Sequence, residues 1–163
     1  RAVFDRTLGA LEPEISTRVE RVPHDDFGAS VLACHALINE ASGERILVLG
    51  GGARDVLIPL TIAGLAAVES ISLVLGYSDI DGAVREVSLP NLTASVSDSA
   101  IDTLRAMQPD EEVTLPELSY RIDHSKSTVT RHVNQLSDQG VIETWREGRT
   151  KHVRISTTGR LLL

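Results

Sequence analysis

The 163-residue chain is short of several residue types, and each shortage excludes something. It has one cysteine, Cys34, so no intrachain disulfide framework and no cysteine-based metal site can form. A lone thiol of this kind reads as a buried structural group. Aromatic residues make up 3% of the chain, with a single Trp. Lysine occurs only at positions 126 and 151, against 14 arginines. Abundant acid with so few lysines and aromatics suits a high-salt cytoplasm, although a GC-rich genome would produce the same arginine bias. No apolar run approaches the roughly 20 residues that a membrane span needs, and no basic-then-apolar leader precedes a small-residue cleavage site. The expectation is a cytoplasmic protein with no membrane partner. The chain starts at Arg1 rather than Met, which suggests that a further segment precedes it.

What is present divides the chain. The net charge is −7, and it is unevenly spread. Residues 1–98 hold 7 Arg against 14 Asp and Glu, whereas residues 111–163 hold 8 Lys and Arg against 7 acids. The acid therefore lies in the N-terminal part, and the bases of the C-terminal part are clustered. Val3, Leu8 and Leu11 fall at helical spacing, Ile15, Val19 and Val22 alternate as a short strand, and Phe27 to Ile38 mark a second helix ended by Ser42-Gly43. "RILVLG" reads as a strand buried on both faces of a parallel sheet, "RDVLIPLTIAGLAAV" as an apolar helix and "SISLVLGY" as another buried strand. Alternating helices and strands predict an α/β Rossmann-like, doubly wound and mostly parallel N-terminal domain over 1–90. Pro90, Asn91 and a Ser-rich run place a linker at 91–98, and 99–163 form the second domain.

That second domain reads as α+β: three helices and a hairpin. Thr114-x-x-Glu117 has the spacing of a capping box, with Pro116 tolerated in the first turn. Ser125 is a natural N-cap for a helix ended by Gly140. On that helix Val129, Val133 and Leu136 make an apolar stripe, and Lys126, Ser127, Thr128, Arg131, His132 and Gln135 fall on the other side. With Ser125, these are the side chains expected to reach base edges and phosphates in a major groove. Arg149 and Lys151 sit at the hairpin tip, where cations suit contact with phosphate or the minor groove. Trp145 is read as hairpin packing rather than a base stacker. The pattern of "STVTRHVNQLSDQGVIETWREGRTKHVRIS" resembles the winged helix-turn-helix regulators of bacteria and archaea. His124, His132 and His152 match no metal-ligand spacing, so no metal is expected.

The stretch "ILVLGGGARDVLIPL" carries the remaining motif. It has no G-K-[ST], which excludes a P-loop, and the dinucleotide fingerprint begun by Gly50 and Gly52 fails at Asp55. A strand, a glycine turn and a helix nevertheless make a physical anion site, with Arg54 as a cation and Asp55 as an opposing charge. Together with the winged helix, "ILVLGGGARDVLIPLTIAGLAA" resembles the CRISPR-associated Rossmann-fold (CARF) transcriptional regulators of archaea. That resemblance implies a homodimer binding a cyclic oligoadenylate, often a four-membered ring, across its two sensor domains. Gly51, Gly52 and Arg54 fall on matching positions of the family's motif, and Gly50 stands where the family often has Ser or Thr. The family's other ligand loop follows its first strand, which is expected to lie before Arg1. The implied function is a regulator that senses rather than cleaves cyclic tetra-adenylate, uses no cofactor and binds a palindromic double-stranded operator. A ring nuclease is the enzyme alternative, with His24 and His35 as its candidate acid or base, and a sensor for another anion or a purely dimerising domain is the second alternative.

Overall fold

The computed structural model describes residues 18–122 and 124–163. The helix expected around Val3, Leu8 and Leu11, and the start of the strand at Ile15, lie outside these residues. Val19 and Val22, expected to continue that strand, have no regular secondary structure.

The N-terminal unit consists of α1 (Phe27–Glu40), β1 (Ile46–Leu49), α2 (Arg54–Ala66), a 3-10 turn (Val68–Ser70), β2 (Leu73–Tyr77) and β3 (Val84–Glu86). Asp26 caps α1 by accepting the Ala29 amide at 2.9 Å. Strands β1 and β2 are parallel, joined through α2, and β3 runs antiparallel to β2, giving the order β1-β2-β3. The result is a small mixed sheet. The doubly wound, mostly parallel architecture expected from the helix-strand alternation is not seen among the described residues.

β1 also departs from the expectation of burial on both faces. Leu47 is buried, but Ile46 and Val48 are 53% and 56% exposed. The reason is the one-sided helix layer: α1 and α2 pack on each other, and Gly64 of α2 lies against Leu47. Register puts Ile46 and Val48 beside Leu73 and Leu75 on the other face, where both β1 residues remain open.

The C-terminal unit runs α3 (Asp98–Arg105), β4 (Val113–Thr114), α4 (Leu115–Arg121), α5 (Lys126–Asp138), β5 (Ile142–Glu147), β6 (Thr150–Ile155) and α6 (Thr157–Leu162). Its sheet has the order β4-β6-β5, all antiparallel. Leu104, Val113, Leu118, Val129, Val133, Leu136, Val141, Val153 and Ile155 form one buried core, so the three helices and the wing share a single interior. Each burial of this size contributes on the order of 1.5–3 kcal/mol relative to exposure.

The helix ends follow from local chemistry. The capping box at α4 is complete: Thr114 Oγ1 accepts the Glu117 amide at 3.4 Å, and Glu117 Oε2 accepts the Thr114 amide at 2.8 Å. The Thr114 hydroxyl, which donates to Glu117 Oε2 at 2.7 Å, and then the Thr114 amide hold the Glu117 carboxyl below the usual carboxylate range. Ser125 caps α5 through the Thr128 amide at 3.3 Å. At the other end Gly140 adopts φ +67°, and the Val141 amide reaches back to the Leu136 carbonyl at 2.9 Å. That left-handed residue lets the chain leave the helix and enter β5. No described helix is long and apolar enough to cross a membrane.

Candidate functional site

The exposed side of α5 is set by its buried side. Val129, His132, Val133 and Leu136 are all at or below 1% exposure. At 100° per residue this places Ser127, Thr130, Arg131, Asn134 and Asp138 on the opposite side. These five, with Gln135 and Gln139, line an open groove along the helix. Lys126, Ser127 and Arg131 are exposed, and Thr128 is half-buried. Ser125 shares hydrogen bonds with its neighbours: its hydroxyl lies 2.9 Å from both Ser127 Oγ and Thr128 Oγ1. The amino half of the groove is therefore basic and rich in hydroxyls, and the carboxyl end carries Asp138. That carboxylate would repel a phosphate backbone at the carboxyl end of the groove.

His132 requires a correction. It was expected among the DNA-contacting side chains, but it is 1% exposed, with Nδ1 2.8 Å from Thr103 Oγ1 of α3. It stands at i+3 from Val129 and i−4 from Leu136, within the width of the apolar stripe. That spacing was available in the sequence; a polar residue type concealed it. Burial, Arg131 and His124 push its pKa below the ordinary value, in that order of weight. Gln135 is half-buried and turned toward α3, its Oε1 accepting from the Ser97 hydroxyl at 3.4 Å.

The hairpin has two chemically different faces. Register pairs Glu143 with Arg154, Trp145 with His152 and Glu147 with Thr150 on the outer face. There Trp145 stacks on His152 at 5.5 Å between centroids, and Arg154 lies 5.7 Å from the indole centroid while pairing with Glu143 at 2.6 Å. Trp145 thus packs the hairpin. The inner row begins with the core residues Ile142, Val153 and Ile155, and toward the tip it becomes Arg146 and Lys151. Lys151 Nζ donates to Asn134 Oδ1 of α5 at 3.0 Å. Arg149 follows Gly148, which takes φ +60° in the turn, and is exposed. Arg146 and Lys151 consequently share the inner row of the wing, which Lys151 ties to Asn134 of α5, and Arg149 stands exposed at the turn. Arg146, Asn134 and Thr130 were missed in the sequence reading. Alternation from Val153 and Ile155 would have assigned Arg146 and Lys151 to the inner row.

The glycine turn lies elsewhere. Gly51 and Gly52 take φ +61° and +113°, conformations that only glycine adopts without strain. Gly50 sits so close to Tyr77 that a side chain there would collide with the Cβ of that tyrosine. The turn is at the carboxyl end of β1 and opens into α2, whose N-cap Ala53 offers no capping side chain. Arg54 and Asp55 are exposed in its first turn. Among the described residues, no cluster of three or more His, Cys, Asp or Glu could hold a metal ion.

Three helices sharing a core with a two-stranded wing define the C-terminal unit as a winged helix-turn-helix, the class that binds DNA in transcription regulators. Residues 101–144, from α3 into β5, match the helix-turn-helix domain family. No curated protein matches the chain. Among solved structures, HlyU from Vibrio cholerae N16961 is similar at 29% identity and a TM-score of 0.37, over 44% of this chain and 82% of that one.

Proposed function

We propose that this chain is a homodimeric, effector-responsive transcription regulator of CRISPR-associated genes, of the archaeal CARF type, acting in the cytoplasm on a palindromic double-stranded DNA operator. The effector in this reading is a cyclic oligoadenylate, with cyclic tetra-adenylate the first choice. The observation that carries it is the pairing of a winged helix with a strand-turn-helix whose turn is Gly50-Gly51-Gly52 and whose helix begins uncapped at Arg54. The Arg54 and Asp55 amides, which precede the first helical bonds from Val56 and Leu57 to the Ala53 carbonyl, a positive helix end and a guanidinium suit a phosphate, and the carboxyl end of a parallel strand is the usual place for one. A two-fold ring on a two-fold dimer axis would meet the same groups from both subunits and align two recognition helices.

The same reading makes the N-terminal unit a sensor and not an enzyme, with no cofactor. His35 borders a cavity with Ala66 and Ala67, at the end of α2 opposite the glycine turn. A 13-residue helix separates those ends by about 20 Å, too far for His35 to transfer a proton at the turn.

One observation favours a second reading, a sensor for a different anion or a unit that only dimerises. Asp55 occupies the same first turn as Arg54 and repels a phosphate there. Calorimetry of the chain with cyclic tetra-adenylate decides between them. Saturable heat that Arg54→Ala abolishes supports the first reading, and no heat with folded protein sinks it. Linear adenylate products in the same tube would point instead to a ring nuclease.

A further inference from the structure

The N-terminal unit meets the winged helix at a polar joint built around Asn91, which is 8% exposed. Its amide Nδ2 donates to Glu69 Oε1 at 3.1 Å, on the 3-10 turn that follows α2. The same nitrogen donates to the carbonyl of Gln139, the C-cap of α5, at 3.5 Å. Its Oδ1 accepts from the amide and hydroxyl of Thr93 at 3.0 and 2.8 Å. Its backbone N–H donates to Thr158 Oγ1 of α6 at 3.0 Å. Every donor and acceptor position of the side chain is therefore used. Downstream, the Ser95 amide donates to Gln139 Oε1 at 3.1 Å and the Ser97 hydroxyl to Gln135 Oε1 at 3.4 Å. The segment expected as a linker is stitched along the carboxyl half of the recognition helix.

The arrangement has a mechanical meaning. α2 begins at the glycine turn and ends one residue before the 3-10 turn that carries Glu69, so it is a rod between that turn and the joint. Gln139 caps the helix whose other end presents Lys126, Ser127 and Arg131. Beside the joint lies a cleft of about 230 Å3 bordered by Val68, Leu89, Asp138 and Gly140. With open space there, hydrogen bonds of fixed direction hold the angle between the units where apolar packing does not. We infer that Asn91 is a positioning residue for DNA recognition, setting the angle of α5 relative to the N-terminal unit. This rests on the DNA-binding class of the C-terminal unit; only transmission of an effector signal along α2 rests on the proposed sensor.

Asparagine is needed because Glu69 and the Gln139 carbonyl both require a donor, while Thr93 requires an acceptor. Asn91→Asp keeps the Thr93 contacts and turns the other two into acceptor-acceptor repulsions. Adding Glu69→Gln returns a donor to the joint from the opposite side. The test places nitroxide labels at Ala36→Cys and Gln108→Cys, both exposed positions, while Cys34 at 2% exposure stays unlabelled. With labelled chain diluted in an excess of unlabelled chain, so that only distances within one protomer are read, electron-electron resonance should give one narrow distance distribution for otherwise wild-type protein, a broad one for Asn91→Asp, and a narrow one again for Asn91→Asp with Glu69→Gln. Anisotropy at fixed salt, using the duplex that wild-type protein enriches from a random-sequence pool, should show about tenfold weaker binding for Asn91→Asp, restored in the double variant. If Asn91→Asp fails to fold, Glu69→Ala, at an exposed position, is expected to broaden the distances and weaken binding in the same direction. A narrow distribution in the single variant overturns the joint, and a broad one with unchanged DNA affinity overturns its positioning role. Failure of wild-type protein to enrich any duplex would instead remove the DNA-binding reading itself.

Discussion

Thr103 and His132 meet in the interior of the C-terminal unit, Oγ1 to Nδ1 at 2.8 Å, joining α3 to the recognition helix. The other ring nitrogen, Nε2, is buried without a hydrogen-bond partner. The ring of His124 stands edge-on to it, centroids 5.9 Å apart. An unsatisfied buried nitrogen costs about 1–3 kcal/mol, and a charged one costs more. The neutral ring is therefore the form that this interior accepts.

Acidification should destabilise the protein through His132. Its folded-state pKa lies below the ordinary 6.5, so in the window beneath 6.5 the unfolded chain binds the extra proton. Stability contributed by the neutral ring is present above that window and declines as pH falls through it. Urea midpoints at neutral pH and at mildly acid pH should differ more for the wild-type chain than for His132→Gln. Equal pH dependence in the two would refute this role.

Arg131 and Arg149 should fail differently when removed. Arg131→Ala takes a planar donor from the groove of α5 and should cost about 1–3 kcal/mol of operator affinity with relaxed sequence preference. Arg149→Ala, at the wing tip, should weaken binding to all sequences alike and lower the slope of log affinity against log salt by about 1. A salt titration on operator and scrambled duplexes distinguishes them, and identical behaviour would contradict the assignment of groove and tip.

Arg146→Ala should weaken DNA binding as Arg149→Ala does, because Arg146 shares the inner row of the wing with Lys151, which reaches α5. Glu143→Ala, on the outer face, should leave DNA affinity unchanged at fixed salt. If Glu143→Ala matters and Arg146→Ala does not, the two faces have been assigned the wrong way round.

Gly52→Ala should destabilise the N-terminal unit by about 1–3 kcal/mol, since φ +113° is strained for any side chain. Space is not the obstacle, because a Cβ there meets nothing within 4 Å. Thermal melting of this variant beside Gly28→Ala, which lies in ordinary helical geometry near Asp26, isolates the backbone effect. Equal melting temperatures would count against a strained turn.

Thr114→Ala should lower stability by about 1 kcal/mol by opening the capping box. The Glu117 carboxyl, no longer held low by Thr114, should titrate nearer its ordinary value. Denaturant unfolding and carboxyl chemical shifts measured against pH would show both changes together.

By itself the sequence determined the elements whose physics is local. Thr114 and Glu117, Ser125 and Gly140 locate helix ends through hydrogen bonds a few residues apart, and Val129, Val133 and Leu136 orient α5 by period alone. The winged helix was legible for that reason. Tertiary structure decided what depends on distant partners. Period alone allowed His132 a place in the apolar stripe, but only the α3 interface supplied Thr103 as its partner, and Lys151, beside Arg146, met Asn134 only once the wing had folded onto α5. Ile46 and Val48 read as buried because they are apolar, yet burial requires a layer on their face, and α1 and α2 both lie on the other. Asn91 looked like a loop residue. Its role emerged from bonds to residues 22 positions before it and 48 and 67 after it, separations over which composition and period carry no information.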